Sequence, residues 1–345
     1  MKAICYSRFG APVDVAELRD EADPTPPGPM QVQLRHEAMA IHPADLLQME
    51  GRYGARRPSL PASGGTDGVA RVVAVGTDVT HLRVGDLVPL LFTGVPAWRE
   101  GCTVDAAHLF ALPPGDPLVM SVVGVNALTA WVMLHDTIEL PEGDWVIQNA
   151  AASSVGLATM QLGQRAGFHM INVVRGAPAE ARLRAAGARH VMMDGDDLAA
   201  RVASLTGGQL PRLAIDAVSG AATTRLGACT APGGLVLNYG LLSGDPATLS
   251  PTDLLFRQVS LRGFWLKAWL RGKDMARVRE IYNQLAAMAQ AGEIPAPIAG
   301  MYPLSAFRDA LAHASGGARE GKILFTAENP DGSSLRTRRE TVPAD

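Results

Sequence analysis

The sequence lacks several features that would assign it to a special class of protein. Its 345 residues contain only three cysteines, Cys5, Cys102 and Cys229, which lie too far apart to suggest a disulfide framework or a metal-binding thiolate cluster. No apolar run approaches the ~20 residues that cross a bilayer, and the opening MKAICYSRFG has no signal composition. These absences predict a cytoplasmic protein with no membrane partner, whose cysteines are packing residues.

The sequence also has no large excess of positive or negative charge. The 31 basic and 34 acidic residues give a formal net charge of -3 and are interleaved, so no broad basic surface is available for nucleic acid. With 47% hydrophobic residues and 36 glycines, the chain can form two domains with cores of their own. We therefore expect a globular protein that does not bind nucleic acid.

Two kinds of sequence pattern follow one another along the chain. Residues 1–120 contain many prolines and short apolar runs that end in Gly or Asp, a rhythm that predicts antiparallel strands in a partly open β-barrel. Residues 121–268 alternate unbroken apolar runs with helical segments, which predicts a parallel sheet covered on both faces, a doubly wound Rossmann domain. The apolar runs are DWVIQNA, HMINVVR, HVMMD, RLAIDAV, GGLVLNYG and VSLRGFW.

The remaining segments complete the predicted organisation. Residues 269–326 contain a long amphipathic helix, DMARVREIYNQLAAMAQAGEI, and a strand, KILFT, and are expected to complete the first domain. Residues 327–345 are polar and are predicted to form a mobile tail.

Glycine is scarce where a phosphate-binding turn would need it. Between the strand and the helix of WVIQNAAASSVGLATMQLGQRAG there is one glycine, Gly156, whereas a dinucleotide fingerprint has three. A helix N-terminus binds phosphate through its N–H groups and the positive end of its dipole, and small residues also permit close approach. Ser153 and Ser154 add hydroxyl donors. The alternative is a serine-capped turn without a ligand.

The second strand of this domain bears on the choice of cofactor. It ends in Arg175, 19 residues after Gly156, close to the place where an acidic residue usually meets the ribose of NADH. An arginine bonds a 2′-phosphate through two N–H groups, whereas a carboxylate repels it. Arg175 therefore favours NADPH, unless it is a solvated surface residue.

Several segments together resemble the medium-chain dehydrogenase/reductase superfamily. They are IHPADLLQMEGRY, GGTDGVARVVAVG, VGDLV, QNAAASSVG, INVVR, GGLVLNYG and LRGFWL. More narrowly, they are similar to its zinc-independent 2-enoyl thioester reductases, and next to its quinone oxidoreductases. The resemblance extends over residues 1–326. It implies a GroES-like catalytic domain beside a Rossmann domain that binds NADPH, and a role in fatty acid metabolism.

This resemblance implies a catalytic residue and a substrate pocket. Tyr53 matches the family's catalytic tyrosine, whose hydroxyl stabilises an enolate and supplies a proton. Trp265 matches a tryptophan at the base of the substrate cleft, and Trp98 and His42 are the other predicted pocket residues. The alternative for Tyr53 is packing on the cleft wall, and the alternative for Trp265 is a place in the core. His42 stands where the family usually has Asn, so both a hydrogen-bonded and a ligand-contacting role stay open.

The resemblance also implies the residues that bind NADPH. They are Thr129, Asn149, Ser153, Ser154, Val155, Gly156, Arg175, Tyr239 and Lys322. Lys322 is predicted to reach the pyrophosphate, with a solvated lysine as the alternative. Asp67 stands where relatives usually have Glu, and it is predicted to form an ion pair or hydrogen bonds that support the structure.

Zinc is not predicted. Alcohol dehydrogenases of the superfamily place a cysteine where this chain has His42 and a histidine where it has Thr66, and the loop with four cysteines is absent. One imidazole without partners does not make a tetrahedral zinc site.

Three functions remain open. The first is NADPH-dependent reduction of the C2=C3 bond of trans-2-enoyl thioesters of CoA or acyl carrier protein, with hydride going to Cβ and a proton to Cα. The second is a quinone or alkenal reductase, which needs no tyrosine acid, and the third is a non-enzymatic NADPH-binding regulator.

The sequence also predicts a homodimer. Relatives pair through edge strands, and GGLVLNYG followed by VSLRGFW could supply such an edge.

Overall fold

The chain folds into two compact units. The structure, a computed structural model, describes residues 1–54, 56–317 and 320–327. The N-terminal unit consists of Met1–Val125, Met275–Gly292 and Ala296–Asp345, and the central unit consists of Asn126–Asp274 and Glu293–Pro295. These boundaries fall a few residues after the predicted ones. Apart from its first residue, the predicted tail lies outside the described residues.

Fifteen strands are found in the described part of the chain. They are β1 (Lys2–Tyr6), β2 (Ala16–Asp20), β3 (Gln31–Ala40), β4 (Ala62–Ser63), β5 (Asp67–Val75), β6 (Leu87–Pro89), β7 (Gly101–Asp105), β8 (Trp145–Gln148), β9 (His169–Val174), β10 (His190–Met193), β11 (Leu213–Asp216), β12 (Leu235–Asn238), β13 (Ser260–Gly263), β14 (Ile298–Pro303) and β15 (Lys322–Thr326).

The helices are mostly short. They are α1 (Pro12–Val15), α2 (Pro43–Met49), α3 (Pro117–Met120), α4 (Leu128–His135), α5 (Ser154–Arg165), α6 (Ala177–Ala185), α7 (Leu198–Thr206), α8 (Ala221–Cys229), α9 (Leu266–Leu270), α10 (Met275–Gln290) and α11 (Phe307–Ser315). Single turns of 3-10 helix lie at Leu90–Phe92 and Leu304–Ala306, and π-helical turns lie at Val123–Ala127 and Thr252–Phe256. None of the helices in the described ranges has the length and apolar character needed to cross a membrane.

The N-terminal unit is built from two mainly antiparallel sheets. The larger has the order β14-β15-β3-β5-β6, with β7 also paired to β3, and the smaller has the order β2-β1-β4. The large sheet ends at β14 and β6 rather than closing, which confirms the predicted partly open arrangement. Side chains from both sheets and from α11 form one core, in which Tyr6, Leu34 and Phe325 are fully buried.

The central unit is the predicted Rossmann domain. Its six strands are all parallel, in the order β10-β9-β8-β11-β12-β13. The order runs outward in both directions from β8 and β11, so the carboxyl ends of these two strands form the switch point where such sheets bind a nucleotide. Two separate clusters of buried side chains, around Ile147 and around Met160, cover the sheet. Burial on both faces explains why the four inner strands, β8, β9, β11 and β12, read as unbroken apolar runs, while β10 and β13 at the ends of the sheet are less buried.

The three cysteines are buried and carry free thiols. Burial raises the pKa of Cys102 to about 11 and that of Cys229 to about 12. Burial is also the main reason why the pKa of Cys5 is raised. The thiols are therefore protonated at neutral pH and act as packing groups, as predicted.

Candidate functional site

The turn between β8 and α5 has the form of a phosphate site. Ser153 caps α5, and its Oγ accepts a hydrogen bond from the N–H of Gly156 at 3.1 Å. The first-turn N–H groups of an α-helix have no partners within the helix and point out of its N-terminus. Ser154 and Val155 supply two of these groups, and both residues are half-buried.

Two backbone features explain how this turn works with one glycine. A Cβ on Gly156 would lie 2.4 Å from the carbonyl oxygen of Ala151, so only glycine allows the helix to pack this close to the turn. Ala150 has a φ of 46°, in the left-handed region where glycine is usual, at a cost of about 1 kcal/mol. Alanine therefore takes a conformation that the usual fingerprint assigns to glycine.

Beneath the turn, a buried amide pair holds the helix to the sheet. The side chain of Gln148 donates both to the carbonyl oxygen of Gly156 and to Oδ1 of Asn172, each at 2.8 Å. Both side chains are buried, at the carboxyl end of β8 and within β9. Because unpaired amides are costly in the interior, this pair fixes the position of the first turn of α5.

The buried carboxylate of Asp216 fastens the carboxyl ends of three neighbouring strands. It lies at the end of β11 and is fully buried. Its donors are Asn149 Nδ2 at 2.6 Å, Val218 N at 2.9 Å, Ser219 N at 3.1 Å, Thr223 Oγ1 at 2.6 Å and Asn238 Nδ2 at 3.0 Å. Asn149 and Asn238 follow or end β8 and β12, so one acid group joins all three strand ends. Asp216 was not predicted from the sequence, although an Asp at the end of an apolar strand is a usable signal.

Asn149 and Tyr239 belong to the same network. The Oδ1 of Asn149 accepts from Ala217 N at 2.8 Å, so both ends of this amide are engaged within the protein. The hydroxyl of Tyr239 hydrogen-bonds Ser153, and burial raises the pKa of the phenol above its usual range. These contacts make both side chains parts of the turn's support. Their predicted direct contact with a cofactor remains a prediction.

Arg175 lies where the sequence predicts it, directly after the last residue of β9. The side chain is exposed, and it forms no ion pair within the described ranges. An arginine whose five donors are not used inside the protein is suited to bind an anion in the fork geometry. Thr129, another predicted cofactor residue, is buried in α4 with 5% of its surface exposed.

Tyr53 lies in the turn that follows α2. It stands between Gly51 and Gly54, whose φ angles of 70° and 81° require glycine. The side chain of Arg57 donates to the carbonyl oxygen of Gly51 at 3.0 Å and lies over the ring of Phe9 at 5.2 Å. Tyr53 itself is half-buried. Two glycine conformations and one hydrogen bond from Arg57 shape this turn, and part of the Tyr53 surface is accessible.

Trp98 is a core residue, which corrects the prediction that it lines the substrate pocket. None of its surface is exposed. The indole lies on Gly64 and Gly65, where a Cβ would come within 2.2 and 2.3 Å of the ring. It packs edge-on against Phe325 at 5.3 Å, and its N–H donates to the carbonyl oxygen of Ala40 at 3.3 Å. The two glycines therefore form a slot that the indole fills.

Trp265 is the more accessible of the two predicted pocket tryptophans. It follows β13 and caps α9, with 38% of its surface exposed. The guanidinium of Arg271 lies 5.5 Å from the ring centroid. Its predicted contact with substrate remains a prediction.

His42 lies in a buried polar cluster with Asp67 and Lys322. The imidazole Nε2 is 3.3 Å from Oδ2 of Asp67, and Nδ1 is 3.0 Å from Nζ of Lys322. The exposed fraction is 3% for His42, 0% for Asp67 and 6% for Lys322. His42 is thus hydrogen-bonded, and its predicted contact with substrate remains a prediction. The prediction of bonded Asp67 is confirmed. A solvated Lys322 is ruled out by its burial.

Comparison with known proteins places this architecture in a family. Residues 28–142 match the family described as alcohol dehydrogenase GroES-like domain, and residues 154–284 match the family described as zinc-binding dehydrogenase. The human protein named enoyl-[acyl-carrier-protein] reductase, mitochondrial, is 35% identical over 317 residues, covering 90% of this chain and 84% of its own. The chain belongs to the medium-chain dehydrogenase/reductase superfamily. Within it, the similarity to enoyl-[acyl-carrier-protein] reductases spans nine-tenths of the chain.

Solved structures give the same result for the fold. The Escherichia coli quinone oxidoreductase complexed with NADPH superposes with a TM-score of 0.84 at 25% identity, covering 94% of this chain and 100% of its own. The complex of Etr1p with NADP and crotonyl-CoA superposes with a TM-score of 0.82 at 24% identity, covering 94% of this chain and 99% of its own.

Despite the name of one matched family, the residues present do not fit a zinc site. Nε2 of His42 faces Asp67, and the other ring nitrogen, Nδ1, faces the ammonium of Lys322. The hydroxyl of Thr66 is used to donate to Asp45 at 2.9 Å. No group of three or more His, Cys, Asp or Glu side chains within the described ranges is arranged to hold a metal ion. A cation would meet a positive neighbour here instead of a set of donors.

Proposed function

We propose that the protein is an NADPH-dependent 2-enoyl thioester reductase that saturates the C2=C3 bond of trans-2-enoyl thioesters. The observation that carries the proposal is the half-buried Tyr53 in the turn after α2, in a chain that is 35% identical to an enoyl-[acyl-carrier-protein] reductase. The phenol of Tyr53 is suited to supply the acid that such a reduction requires. The name of the human relative makes acyl carrier protein a candidate carrier beside CoA.

The reaction divides between a hydride and a proton. Bound NADPH supplies the hydride that adds to Cβ. Negative charge then develops on the thioester oxygen, where the Tyr53 hydroxyl donates a hydrogen bond. The same hydroxyl gives its proton to Cα, directly or through one water, and the phenolate is reprotonated from solvent. The products are the saturated thioester and the oxidised cofactor, so atoms and electrons balance.

The central unit is proposed to hold the cofactor. The residues fit a dinucleotide because Gly156 lets the helix approach, the N–H groups of the first turn of α5 point outward, and Arg175 carries an exposed guanidinium. The pyrophosphate is assigned to the turn with Ser153 and Ser154. The 2′-phosphate is assigned to Arg175.

We also propose that two copies of the chain form a homodimer through β13. Among the described strands, β13 is at one end of the central sheet and pairs with β12 alone, so its other edge has backbone groups that no described strand uses. The turn before it exposes 65% of Leu255 and 82% of Phe256, an amount of apolar surface that favours association.

The cellular location of the protein stays a prediction. Composition favours the cytoplasm, while the human relative is named mitochondrial.

Reduction of quinones or alkenals is the second candidate function. It is favoured by the TM-score of 0.84 with the Escherichia coli quinone oxidoreductase. A quinone takes up hydride without needing a positioned acid for a carbon atom, so the two functions make different demands on Tyr53.

Tyr53→Phe tests the proposed function. This change keeps the ring but removes a donor used mainly in the transition state, so with crotonyl-CoA kcat should fall by about 100-fold while KM changes little. Reduction of a quinone by the same variant should fall far less, and the Kd for NADPH should be unchanged. Stopped-flow or steady-state oxidation of NADPH measures all three.

Tyr302→Phe is the matched control. It removes a phenol hydroxyl from the same unit, where that hydroxyl contacts Nδ1 of His313 at 2.9 Å, and it should leave turnover of crotonyl-CoA near the wild-type value. If Tyr53→Phe reduces crotonyl-CoA at the wild-type rate, the tyrosine is not the acid and quinone reduction becomes the better assignment.

A further inference from the structure

An acid lies directly beside the arginine that is proposed to bind the 2′-phosphate. β9 and β10 are parallel neighbours, and their last residues, Val174 and Met193, are paired in register. The N–H of Asp194 donates to the carbonyl oxygen of Val174 at 2.7 Å, which continues this pairing one residue past the strand ends. Arg175 and Asp194 are therefore neighbours at the carboxyl edge of the central sheet.

The side chains of these two neighbours belong to the same face of the sheet. Successive side chains along a strand alternate between the two faces, so residues two apart share a face. Val173 and Met192, each two residues before the end of the ladder, both pack in the cluster around Ile147. The same alternation assigns Arg175 and Asp194 to that face.

The carboxylate of Asp194 is held by Arg225 from α8. Nε of the guanidinium donates to Oδ1 of Asp194 at 2.7 Å, and Nη2 donates to Oδ2 at 2.5 Å. Two parallel hydrogen bonds between planar charged groups make this a strong and well-oriented type of pair. The side chains of Arg225 and Asp194 are only 26% and 17% exposed. Both carboxylate oxygens are thus turned toward α8.

We propose that Arg225 is a positioning residue for cofactor choice, which holds the carboxylate of Asp194 and so leaves Arg175 to bind the 2′-phosphate of NADPH. This rests on the cofactor part of the proposed function, since it takes Arg175 as the residue that meets that phosphate. Without Arg225, the free carboxylate of Asp194 would pair with the guanidinium beside it and repel the phosphate. It would also accept a hydrogen bond from the 2′-hydroxyl of NADH, as an acidic residue at this end of the site commonly does.

The other charges near this edge leave Arg225 as the partner of Asp194. Arg201 in α7 is paired with Asp197 at 2.9 Å. Asp196 is exposed and adds negative charge near the Arg225 guanidinium. Among the described side chains, Arg225 is the cation that forms an ion pair with Asp194.

A single and a double variant separate this role from simple loss of structure. Arg225→Gln replaces the guanidinium by an uncharged amide and releases the acid beside Arg175. The Kd for NADPH should rise at least about tenfold, while the Kd for NADH stays within about twofold. Adding Asp194→Asn removes the released charge, so the double variant should bind NADPH within about threefold of wild type.

Fluorescence titration of NADPH and of NADH into the full chain provides these affinities. Arg212→Gln is the matched control, because it breaks another arginine–aspartate pair of the central unit, with Asp144 at 3.2 Å. Those two residues directly precede β11 and β8, at the opposite edge of the sheet, and neither Kd should change. The titrations use no thioester, so a chain that binds NADPH as described but does not reduce crotonyl-CoA would fail the proposed function and not this inference.

Two results would overturn the proposal. One is an equal loss of NADPH and NADH affinity in Arg225→Gln, which would mark a purely structural role. The other is a tenfold weaker NADPH affinity in the double variant, which would show that the guanidinium itself contacts the cofactor. The double variant has no unpaired charge at this position, so it still decides the question if Arg225→Gln fails to fold.

Discussion

Arg175 is the residue on which cofactor choice depends. Its guanidinium is exposed at the end of β9 and is proposed to meet the 2′-phosphate of NADPH. Arg175→Ala should weaken NADPH binding by about 1.5 to 3 kcal/mol, the value of a hydrogen bond to a charged group. Binding of NADH, which lacks that phosphate, should change little. Isothermal titration with both cofactors gives the comparison.

An exposed arginine from the next helix serves as its control. Arg184 in α6 is paired with Glu180 at 2.7 Å, and Arg184→Ala should alter neither affinity. Equal losses of NADPH and NADH affinity in Arg175→Ala would show that the residue does not discriminate between the two cofactors.

The buried pair of His36 and Cys102 has the residue types of a nucleophilic site but not the charges. His36 Nδ1 lies 2.8 Å from the carbonyl oxygen of Ala97, and its Nε2 lies 3.3 Å from Sγ of Cys102. Burial lowers the pKa of His36 to about 4 and raises that of Cys102 to about 11. Both groups are therefore neutral at pH 7, and no thiolate is available for catalysis.

At the scale of elements, the network on Asp216 couples the support of the cofactor site to stability. Asp216→Asn replaces an acceptor oxygen by an N–H group that faces other donors, so we expect a loss of about 2 to 4 kcal/mol in the central unit. The strand ends that it joins carry the proposed phosphate turn. The thermal midpoint and the affinity for NADPH should therefore fall together, as scanning calorimetry and titration would show.

Asp197→Asn provides the comparison for this change. The Asp197 side chain is 71% exposed and pairs with Arg201 at 2.9 Å on the surface of the same unit, a type of pair worth little. Its loss should move neither quantity measurably. An Asp216→Asn protein with the wild-type midpoint and affinity would mean that the strand ends do not rely on the carboxylate.

Most of the central unit could be predicted from sequence because its signals are local. Parallel strands inside a sheet give unbroken apolar runs, and the six runs of the sequence coincide with the positions of β8 to β13 along the chain. The Asp216 network could not be predicted in this way, since Asn149 and Asp216 are 67 residues apart. Trp98 was misassigned for a related reason. The slot that holds it is made by two glycines more than thirty residues earlier in the chain.

At the scale of the whole molecule, the free edge of β13 leads to a prediction about mass. Light scattering at micromolar concentration should give twice the 36.3 kDa of one chain. Phe256→Asp places a charge in the exposed apolar turn beside that edge and should shift the protein toward the monomer. Val84→Asp, at another apolar residue that is 66% exposed, should leave the mass unchanged. A wild-type mass near that of one chain would refute the dimer.

The burial of all three thiols has a practical consequence for work with this protein. With pKa values of about 11 and 12 for Cys102 and Cys229, the reactive thiolate at pH 7 is on the order of one part in ten thousand or less. Peroxide and maleimides should therefore react slowly, and the protein can be handled without a reducing agent. One cysteine introduced on the surface would then be labelled selectively with a fluorophore, with the natural cysteines left in place.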